Sequence, residues 1–381
     1  MSEAAPPLAE SGLKNRFDRM EWAGAFGDLG TLIPFVVAYI SVLKMPPFGV
    51  LFAFGLAMLA CGLVYRTPFP VQPMKAIGAA AAIQASVTPD MIYVAALLTG
   101  VIWFTLGVTG WATRAARLVP ATVVSGIVFG LGFGFMLHGL KMMQADWLVA
   151  LIGIAGALLL MRNRTLPAMF VLLAFGLAVG AWQHPALLNG IARQGAQLQL
   201  PSFALANMNW HQLLLGALLL SVPQIPLTLG NAVIATREEN NRLFPHRPLS
   251  EGRIALSTGI MNLFSAVVGG VPMCHGAGGM AGHIAFGART GGAIVILGSL
   301  LLVLAFFFSG SVEMLFGLLP VAVLGVILFL TGAQLALGKS EFPAQRGERL
   351  VVLLTAALCV WNVGAGFVAG MALHHMHRRG W

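Results

Sequence analysis

Thr67-Pro-Phe-Pro-Val-Gln-Pro-Met-Lys75 interrupts the apolar pattern of this chain, and the small-residue run Ala76-Ile-Gly-Ala-Ala-Ala-Ala-Ile83 follows it. A stretch of the same kind lies about 200 residues later, where Gly269-Gly-Val-Pro-Met-Cys-His275 precedes Gly276-Ala-Gly-Gly-Met-Ala-Gly282. In both, prolines or glycines interrupt an apolar pattern that small residues then continue. Each stretch therefore predicts a short extended segment that turns into a half-helix.

The composition of the chain indicates a membrane protein. Of its 381 residues, 58% are hydrophobic and only 9% are charged, and the mean hydropathy is +0.86. A soluble domain of this length needs a more polar surface. Inside a membrane, irregular backbone persists only where protein buries it or where it lines a wet cavity. A matched pair of interrupted segments in such a chain is the pattern of a transport site.

Apolar runs long enough to cross a bilayer predict an all-α polytopic protein with fourteen segments. They lie near 21–41, 48–65, 69–87, 91–112, 119–140, 146–161, 166–182, 210–236, 252–270, 271–288, 291–310, 313–337, 348–361 and 363–376. The longest internal polar stretch separates the first seven from the last seven. The predicted organisation is a cytoplasmic N-terminal tail at 1–20, a first repeat at 21–182, a linker at 183–209, a second repeat at 210–377 and a C-terminal tail at 378–381.

The distribution of positive charge tests this topology. With the N-terminus in the cytoplasm, only Lys44, Lys141 and Arg193 of the 22 Lys and Arg residues fall in outside loops, and Lys75 falls within a segment. All others fall on the inside, as the positive-inside rule requires. Both termini are therefore predicted in the cytoplasm, at the cell's inner (plasma) membrane. The net charge of +9 is explained by topology and gives no reason to invoke nucleic acid.

The two halves share sequence features in equivalent segments. A shift of 200 residues superposes residues of segment five on residues of segment twelve: Pro120, Phe129 and Gly132 on Pro320, Phe329 and Gly332. Because seven segments form each half, the second half must be inverted in the membrane. The sequence predicts a 7+7 inverted repeat. The three cysteines show no pairing or CxxC spacing, and we predict neither a metal site nor a cofactor.

Four motifs give the chain a family resemblance: Glu21-Trp-Ala-Gly-Ala-Phe-Gly-Asp-Leu-Gly-Thr-Leu-Ile-Pro34, Pro70-Val-Gln-Pro-Met-Lys75, Pro223-Gln-Ile-Pro-Leu-Thr-Leu-Gly-Asn-Ala-Val233 and Pro272-Met-Cys-His-Gly-Ala-Gly-Gly279. Together they resemble the MOT-type molybdate transporters of the sulfate permease superfamily. The resemblance implies a uracil-permease-like fold, a core domain that moves against a gate domain, and a homodimer. It also implies that the cytoplasmic STAS domain of the larger sulfate permeases is absent, as in the molybdate branch.

The half-helix N-termini predict an anion site. Each offers unpaired backbone N–H groups and the positive end of a helix dipole, and glycine allows close approach of an oxyanion. The alternative is that the glycines only let helices pack closely. The residues expected to present their N–H groups are Met74, Lys75 and Ala76 in the first half and Gly276, Ala277 and Gly278 in the second.

Ionisable residues within the segments are candidates for function because burying them in a membrane is costly. Asp28 and Lys75 either pair with each other, or Lys75 faces the anion. For Lys75 the alternative is snorkelling to the interface, and for Asp28 a structural role competes with proton coupling. His275, before the second half-helix, is a ligand, a proton carrier or a core histidine with satisfied hydrogen bonds. Uncharged hydrogen-bonding candidates are Thr31, Gln72, Gln224, Thr228 and Asn231.

These observations lead to a hypothesis of non-enzymatic transport. We expect proton-coupled uptake (anion symport) of a tetrahedral oxyanion, molybdate first and sulfate second, by alternating access. Segments 1–4 and 8–11 would form the core, and the gate would present Phe129 and Phe329. A nucleobase permease is the alternative on this fold, but residues 210–235 and 271–288 contain no Asp or Glu to accept from a base. An uncoupled anion channel stays open.

Overall fold

A computed structural model describes residues 14–83, 87–161, 163, 166–200, 203–207, 210–338 and 343–379. Most of them are helical. The helices are α1 (Arg19–Ala25), α2 (Leu29–Val37), α3 (Pro47–Tyr65), α4 (Lys75–Ile83), α5 (Pro89–Val108), α6 (Trp111–Arg117), α7 (Ala121–Met143), α8 (Trp147–Leu160), α9 (Ala168–Gln183), α10 (Pro185–Gln194), α11 (Trp210–Leu227), α12 (Thr236–Leu243), α13 (Glu251–Val267), α14 (Ala277–Ala285), α15 (Gly292–Phe308), α16 (Val312–Gly317), α17 (Val321–Gly338), α18 (Arg346–Trp361) and α19 (Val363–Arg378).

Five continuous helical stretches in the described part are long and apolar enough to cross a membrane unaided. A sixth arises if α9 and α10, bent by 95° at His184, count as one. Two 3₁₀ turns, Phe26–Asp28 and Ser309–Ser311, and two π-helical stretches, Ala38–Val42 and Thr228–Ala235, interrupt or extend the helices. The five stretches are Arg19–Val42, Pro47–Tyr65, Pro89–Val108, Ala121–Met143 and Gly292–Gly317.

Two predicted boundaries are wrong. The apolar run at 313–337 is two helices, because α16 ends at Gly317 and α17 begins at Val321. Pro320, between them, has no N–H and cannot donate the hydrogen bond that would extend α16. The run at 91–112 is likewise broken, since Gly110 adopts a left-handed backbone (φ 72°) between α5 and α6. The predicted linker has secondary structure of its own. It contains α10, and the amides of Gln197 and Gln199 bond the carbonyls of Phe307 and Phe306.

Two short strands bring the broken segments together. β1 (Gln72–Pro73) pairs antiparallel with β2 (Met273–Cys274), with Gln72 opposite Cys274 and Pro73 opposite Met273. Pro70, Pro73 and Pro272 have no N–H to donate, which limits this ladder to two residues on each strand. Because α4 and α14 start directly after the strands, their N-termini lie side by side at one buried point.

The loop that carries β2 is held by a buried amide of α13. Asn262 Oδ1 accepts from the Met273 amide at 2.7 Å, and its Nδ2 donates to the carbonyls of Met273 (2.6 Å) and Thr258 (2.7 Å). Asn262 thus satisfies both polar backbone groups of Met273, which is completely buried. This contact fixes the position of the strand that leads into the second half-helix, α14.

Replacing Asn262 with leucine should lower the free energy of unfolding by about 2–4 kcal/mol, because buried backbone groups of Met273 lose their partners. Thermal unfolding of the purified protein in detergent measures this. Ser265→Ala is the control, because Ser265 makes a single hydrogen bond, to the Val271 carbonyl. Its loss should lower the free energy of unfolding by less. An Asn262→Leu shift no larger than that of Ser265→Ala would contradict the assignment.

The opposite end of α14 is tied to α1. The fully buried carboxylate of Glu21 accepts from the amides of Arg289 and Thr290 (both 2.9 Å) and Ala293 (3.1 Å). These amides form the turn into α15, whose first N–H groups lack intrahelical partners. His283 on α14 bonds the Gly24 carbonyl at 2.8 Å. α1, α14 and α15 are thereby held together around the candidate site.

Candidate functional site

The candidate site lies where the N-termini of α4 and α14 meet α2 and the π-helical stretch Thr228–Ala235. Its polar side chains are almost completely shielded from solvent. Two cavities, of about 370 and 270 Å³, open elsewhere, and no candidate site residue lines either of them. The shielded side chains are Asp28, Thr31, Gln72, Gln224, Thr228, Asn231 and His275.

The α4 N-terminus is already satisfied by the protein. The Met74 amide donates to the Pro272 carbonyl at 2.9 Å, and the Ala76 amide donates to Gln224 Oε1 at 2.9 Å. Gln224 is fixed in turn, since its Nε2 donates to Thr228 Oγ1 at 2.9 Å. The expectation that Met74 and Ala76 offer free N–H groups is therefore wrong for this conformation, because a side chain from the second half caps α4.

The α14 N-terminus has no such cap. Gly276 is the N-cap residue, its backbone is extended (φ −163°), and no side chain in the described part accepts a hydrogen bond there. The first intrahelical bond runs from the Met280 amide to the Gly276 carbonyl. Amides at the start of a helix carry its positive dipole end. Of the two half-helices, α14 is the one whose N-cap residue makes no side-chain hydrogen bond, so its first amides, at Ala277 and Gly278, remain the candidates to bind an anion.

Lys75 brings a buried positive charge to the same place. Its Nζ is shielded from solvent and makes no hydrogen bond to any described residue, and it lies 4.4 Å from the centroid of the Phe135 ring. The ring face attracts a cation weakly. Lys75 feels the charge of Asp28, but the two form no salt bridge in the described structure. Snorkelling to an interface does not fit a shielded ammonium.

Asp28 is held by Gln72. Gln72 Nε2 donates to both carboxylate oxygens of Asp28, at 2.7 and 2.8 Å, whereas Thr31 Oγ1 makes no hydrogen bond to any described residue. The Gln72 side chain also touches Gly276 and Gly279. A donor already bonded to a carboxylate is not free for a second anion. Gln72 therefore positions Asp28 between the two half-helices.

His275 has no free ring nitrogen. Nδ1 is 2.8 Å from the Pro70 carbonyl, and Nε2 is 2.8 Å from Ser257 Oγ. Its ring also packs against Phe69, with 4.7 Å between centroids. Of the readings left open by the sequence, the satisfied core histidine describes this structure. A direct side-chain contact of His275 with an anion is not available here.

Near the centre lie one residue that the sequence predicted, Asn231, and one that it did not, Phe135. Asn231 lies beside Gly276 and has a buried Oδ1 without a partner among the described residues. Phe135 on α7 lies against Lys75 and Gly278. The predicted gate residues Phe129 and Phe329 lie elsewhere on α7 and α17 and are partly buried. Only the repeated Gly-x-Gly pattern before Phe135 hinted at close packing there.

This arrangement favours an anion over a metal ion. It combines an uncapped helix N-terminus, an unpaired ammonium and an amide, while the one carboxylate is engaged by Gln72. In the described residues, no group of three His, Cys, Asp or Glu side chains is placed to hold a metal ion. Backbone amides together with a lysine are a recurrent way to bind oxyanions.

Comparisons with solved structures identify the fold. The transmembrane domain of a cyanobacterial bicarbonate transporter, BicA, superposes with a TM-score of 0.59 at 16% identity, covering 92% of this chain and 97% of that one. The murine Solute Carrier 26 family member A9 anion transporter, in its inward-facing state, gives 0.62 at 13% identity, covering 95% and 68%. At these identities the likeness concerns the fold alone.

Comparisons of sequence identify the family. The family described as "Molybdate transporter of MFS superfamily" matches residues 20–135 and 216–335, which is more than half of the chain. "Molybdate transporter 2" of Arabidopsis thaliana is 28% identical over 93% of this chain and 86% of its own length. "Molybdate transporter 1" of the same plant is 29% identical over 92% and 86%. The chain therefore belongs to the molybdate transporter family, a family of multi-pass membrane transporters and not of enzymes.

Proposed function

We propose that this protein imports a tetrahedral oxyanion, molybdate in the first place, by proton-coupled secondary active transport. The observation that carries the proposal is the Lys75 ammonium, which is buried without a hydrogen-bonding partner among the described residues, beside the uncapped N-terminus of α14. A buried charge without a partner is costly. A divalent oxyanion would supply the missing partner.

In the proposed complex, the anion is bound from two sides. Lys75 and the amides of Ala277 and Gly278 contact the oxyanion, and Asn231 contributes from the π-helical stretch. Gly276 has no side chain, and Gln72 Oε1 occupies the space that a Cβ would take there. The other candidates support the site: Asp28, Thr31 and Gln72 next to Lys75, Gln224 and Thr228 at the cap of α4 with Met74 and Ala76, and His275 behind β2.

We further propose fourteen membrane segments arranged as a 7+7 inverted repeat. The two residue ranges of the family match, 20–135 and 216–335, correspond almost fully under a shift of 200 residues. Pairs of residues related by that shift touch each other: Pro73 with Met273, and Gly132 with Gly332. The packing of α3 on α15 has its counterpart in α13 on α5. A pseudo-two-fold axis relates such pairs.

The proposed mechanism is alternating access with segments 1–4 and 8–11 as the core and segments 5–7 and 12–14 as the gate. The site would travel with the core, because its helix ends belong to segments three and ten. The 370 Å³ cavity lies between α6–α7 and α12–α13 on the side assigned to the cytoplasm. We place both termini there, the protein as a homodimer in the plasma membrane, and Phe129 and Phe329 on the gate surface that slides past the core.

Competitive binding separates the substrate classes. Purified protein should bind molybdate and tungstate more tightly than sulfate, and should not bind uracil. A sulfate preference would identify the protein as a sulfate transporter, and uracil binding would make it a nucleobase permease. Uptake into proteoliposomes with and without a pH gradient then separates coupled transport from an uncoupled channel. Absence of oxyanion binding would refute the proposal.

Asp28→Asn tests the coupling role. If Asp28 carries the co-transported proton, molybdate uptake by the wild type should rise as the outside pH falls, and Asp28→Asn should lose that dependence while keeping binding. The neutral amide retains the size of the carboxylate and can still bond Gln72. Initial uptake rates between pH 5 and 8 measure this. An unchanged pH profile in Asp28→Asn would assign the proton to another group.

A further inference from the structure

We propose that the Phe135 ring closes the empty anion site and that an incoming oxyanion displaces it from Lys75. This inference rests on the proposed function and deepens it, because it names the residue that couples substrate binding to the gate domain. Phe135 belongs to α7, whereas Lys75 begins α4 and Gly278 lies in the first turn of α14. Its ring is therefore a contact between the two proposed domains.

The ring covers both positive elements of the site. One face lies 4.4 Å, centroid to Nζ, from the Lys75 ammonium. Its edge lies against Gly278, where even a methyl group would come within 2.8 Å of Phe135 Cζ. Phe135 thus touches the lysine and the start of the open half-helix together. An oxyanion bonded to both would need the space next to this ring.

The exchange of partners is energetically favourable for Lys75. A cation on an aromatic face is stabilised by about 0.5–2 kcal/mol. A buried ammonium gains more from charge-assisted hydrogen bonds to an oxyanion than from a ring. The ring therefore stabilises the Lys75 charge weakly as long as no oxyanion is bound. The oxyanion then replaces the ring as the partner of Lys75.

The backbone around Phe135 cannot easily move aside. α7 crosses α17 with Gly132 against Gly332, and a methyl group added at Gly332 would lie 2.9 Å from Phe135 Cβ. Tight backbone packing of this kind is rigid. The ring can therefore leave only by side-chain rotation or with a shift of the gate relative to the core. Substrate binding breaks a core–gate contact in either case.

Phe135→Leu should tighten molybdate binding. Without the ring, Lys75 loses its competing partner, and the dissociation constant should fall about 3- to 10-fold, within the range of a cation–π contact. Phe133→Leu is the matched control, because Phe133 lies on the same helix and is 49% exposed. Phe135→Tyr keeps an aromatic face and should bind like the wild type. Equilibrium binding of molybdate, with melting curves to verify folding, is the measurement.

A double substitution tests whether the effect passes through Lys75. In a Lys75→Met background, Phe135→Leu should tighten molybdate binding by a smaller factor than in the wild type, because the ring then covers only the Gly278 end of the site. Weaker or unchanged binding by Phe135→Leu alone would overturn the proposal, as would an equal gain in the Lys75→Met background. Failure of the wild type to bind any oxyanion would instead refute the proposed function. A Phe135→Leu protein that does not fold is replaced in the same assay by Phe135→Met.

Discussion

We expect Lys75→Met to raise the molybdate dissociation constant by about 100-fold or more, equivalent to about 2.7 kcal/mol. The substitution keeps an unbranched apolar stem of similar length and removes the ammonium. In the protein alone this should be tolerated well, because Nζ has no hydrogen bond to lose to any described residue. The loss should fall on the proposed complex, in which the ammonium would neutralise part of a double negative charge in a site shielded from water.

A lysine outside the site serves as the matched control for Lys75→Met. Lys141 lies near the exposed end of α7, and Lys141→Met should leave the dissociation constant within a factor of about two of the wild type. Lys75→Arg keeps the charge but changes its shape, so it should retain part of the affinity. Isothermal titration on detergent-purified protein measures all three. Wild-type affinity in Lys75→Met would remove this residue from the site.

The local features of the fold could be predicted from the sequence. Proline and glycine act on the backbone of their own segment. The breaks before Lys75 and Gly276 could therefore be predicted without knowledge of the tertiary contacts. The pairing of the two strands was not predicted. The end of α16 was missed because Leu318 and Leu319 keep the run apolar across the turn, and apolar composition alone does not distinguish one helix from two.

The partners of the polar side chains could not be predicted. Gln224 lies 148 residues from Ala76, and its choice of the Ala76 amide over an anion depends on how α11 packs against α4. The same holds for His275, which Ser257 engages from α13. A residue type gives hydrogen-bonding capacity, and the folded geometry decides how much of it is already used. The sequence therefore predicted which residues come together but overestimated their free donors.

Gln72→Ala should damage both stability and transport. The Gln72 side-chain amide donates a hydrogen bond to each oxygen of the buried Asp28 carboxylate. Removing the Gln72 side chain therefore leaves a buried charge poorly satisfied. Hydrogen bonds to charged groups are worth about 1.5–3 kcal/mol, and we expect a loss of about 3 kcal/mol in the free energy of unfolding. Molybdate affinity should also fall, since Asp28 would turn to Lys75 and compete with the anion.

The chain supplies a matched control for Gln72→Ala. Gln183 Nε2 donates to Asp146 Oδ2 at 3.2 Å in an exposed pair of the same chemistry, and Gln183→Ala should change the free energy of unfolding by less than about 0.5 kcal/mol. Comparable losses in the two variants would show that burial of Asp28 is not what makes Gln72 important.

The charge of Asp28 is what makes the loss of Gln72 severe, and a double-mutant cycle isolates it. In an Asp28→Asn background no carboxylate is left without a donor, so Gln72→Ala should cost about 1 kcal/mol instead of about 3. The affinity should recover in parallel, because the neutral amide of the Asp28→Asn variant no longer draws Lys75 away from the anion. Melting curves and molybdate titrations of the four proteins give both coupling energies. Additive losses would mean that Gln72 acts on the anion directly and not through Asp28.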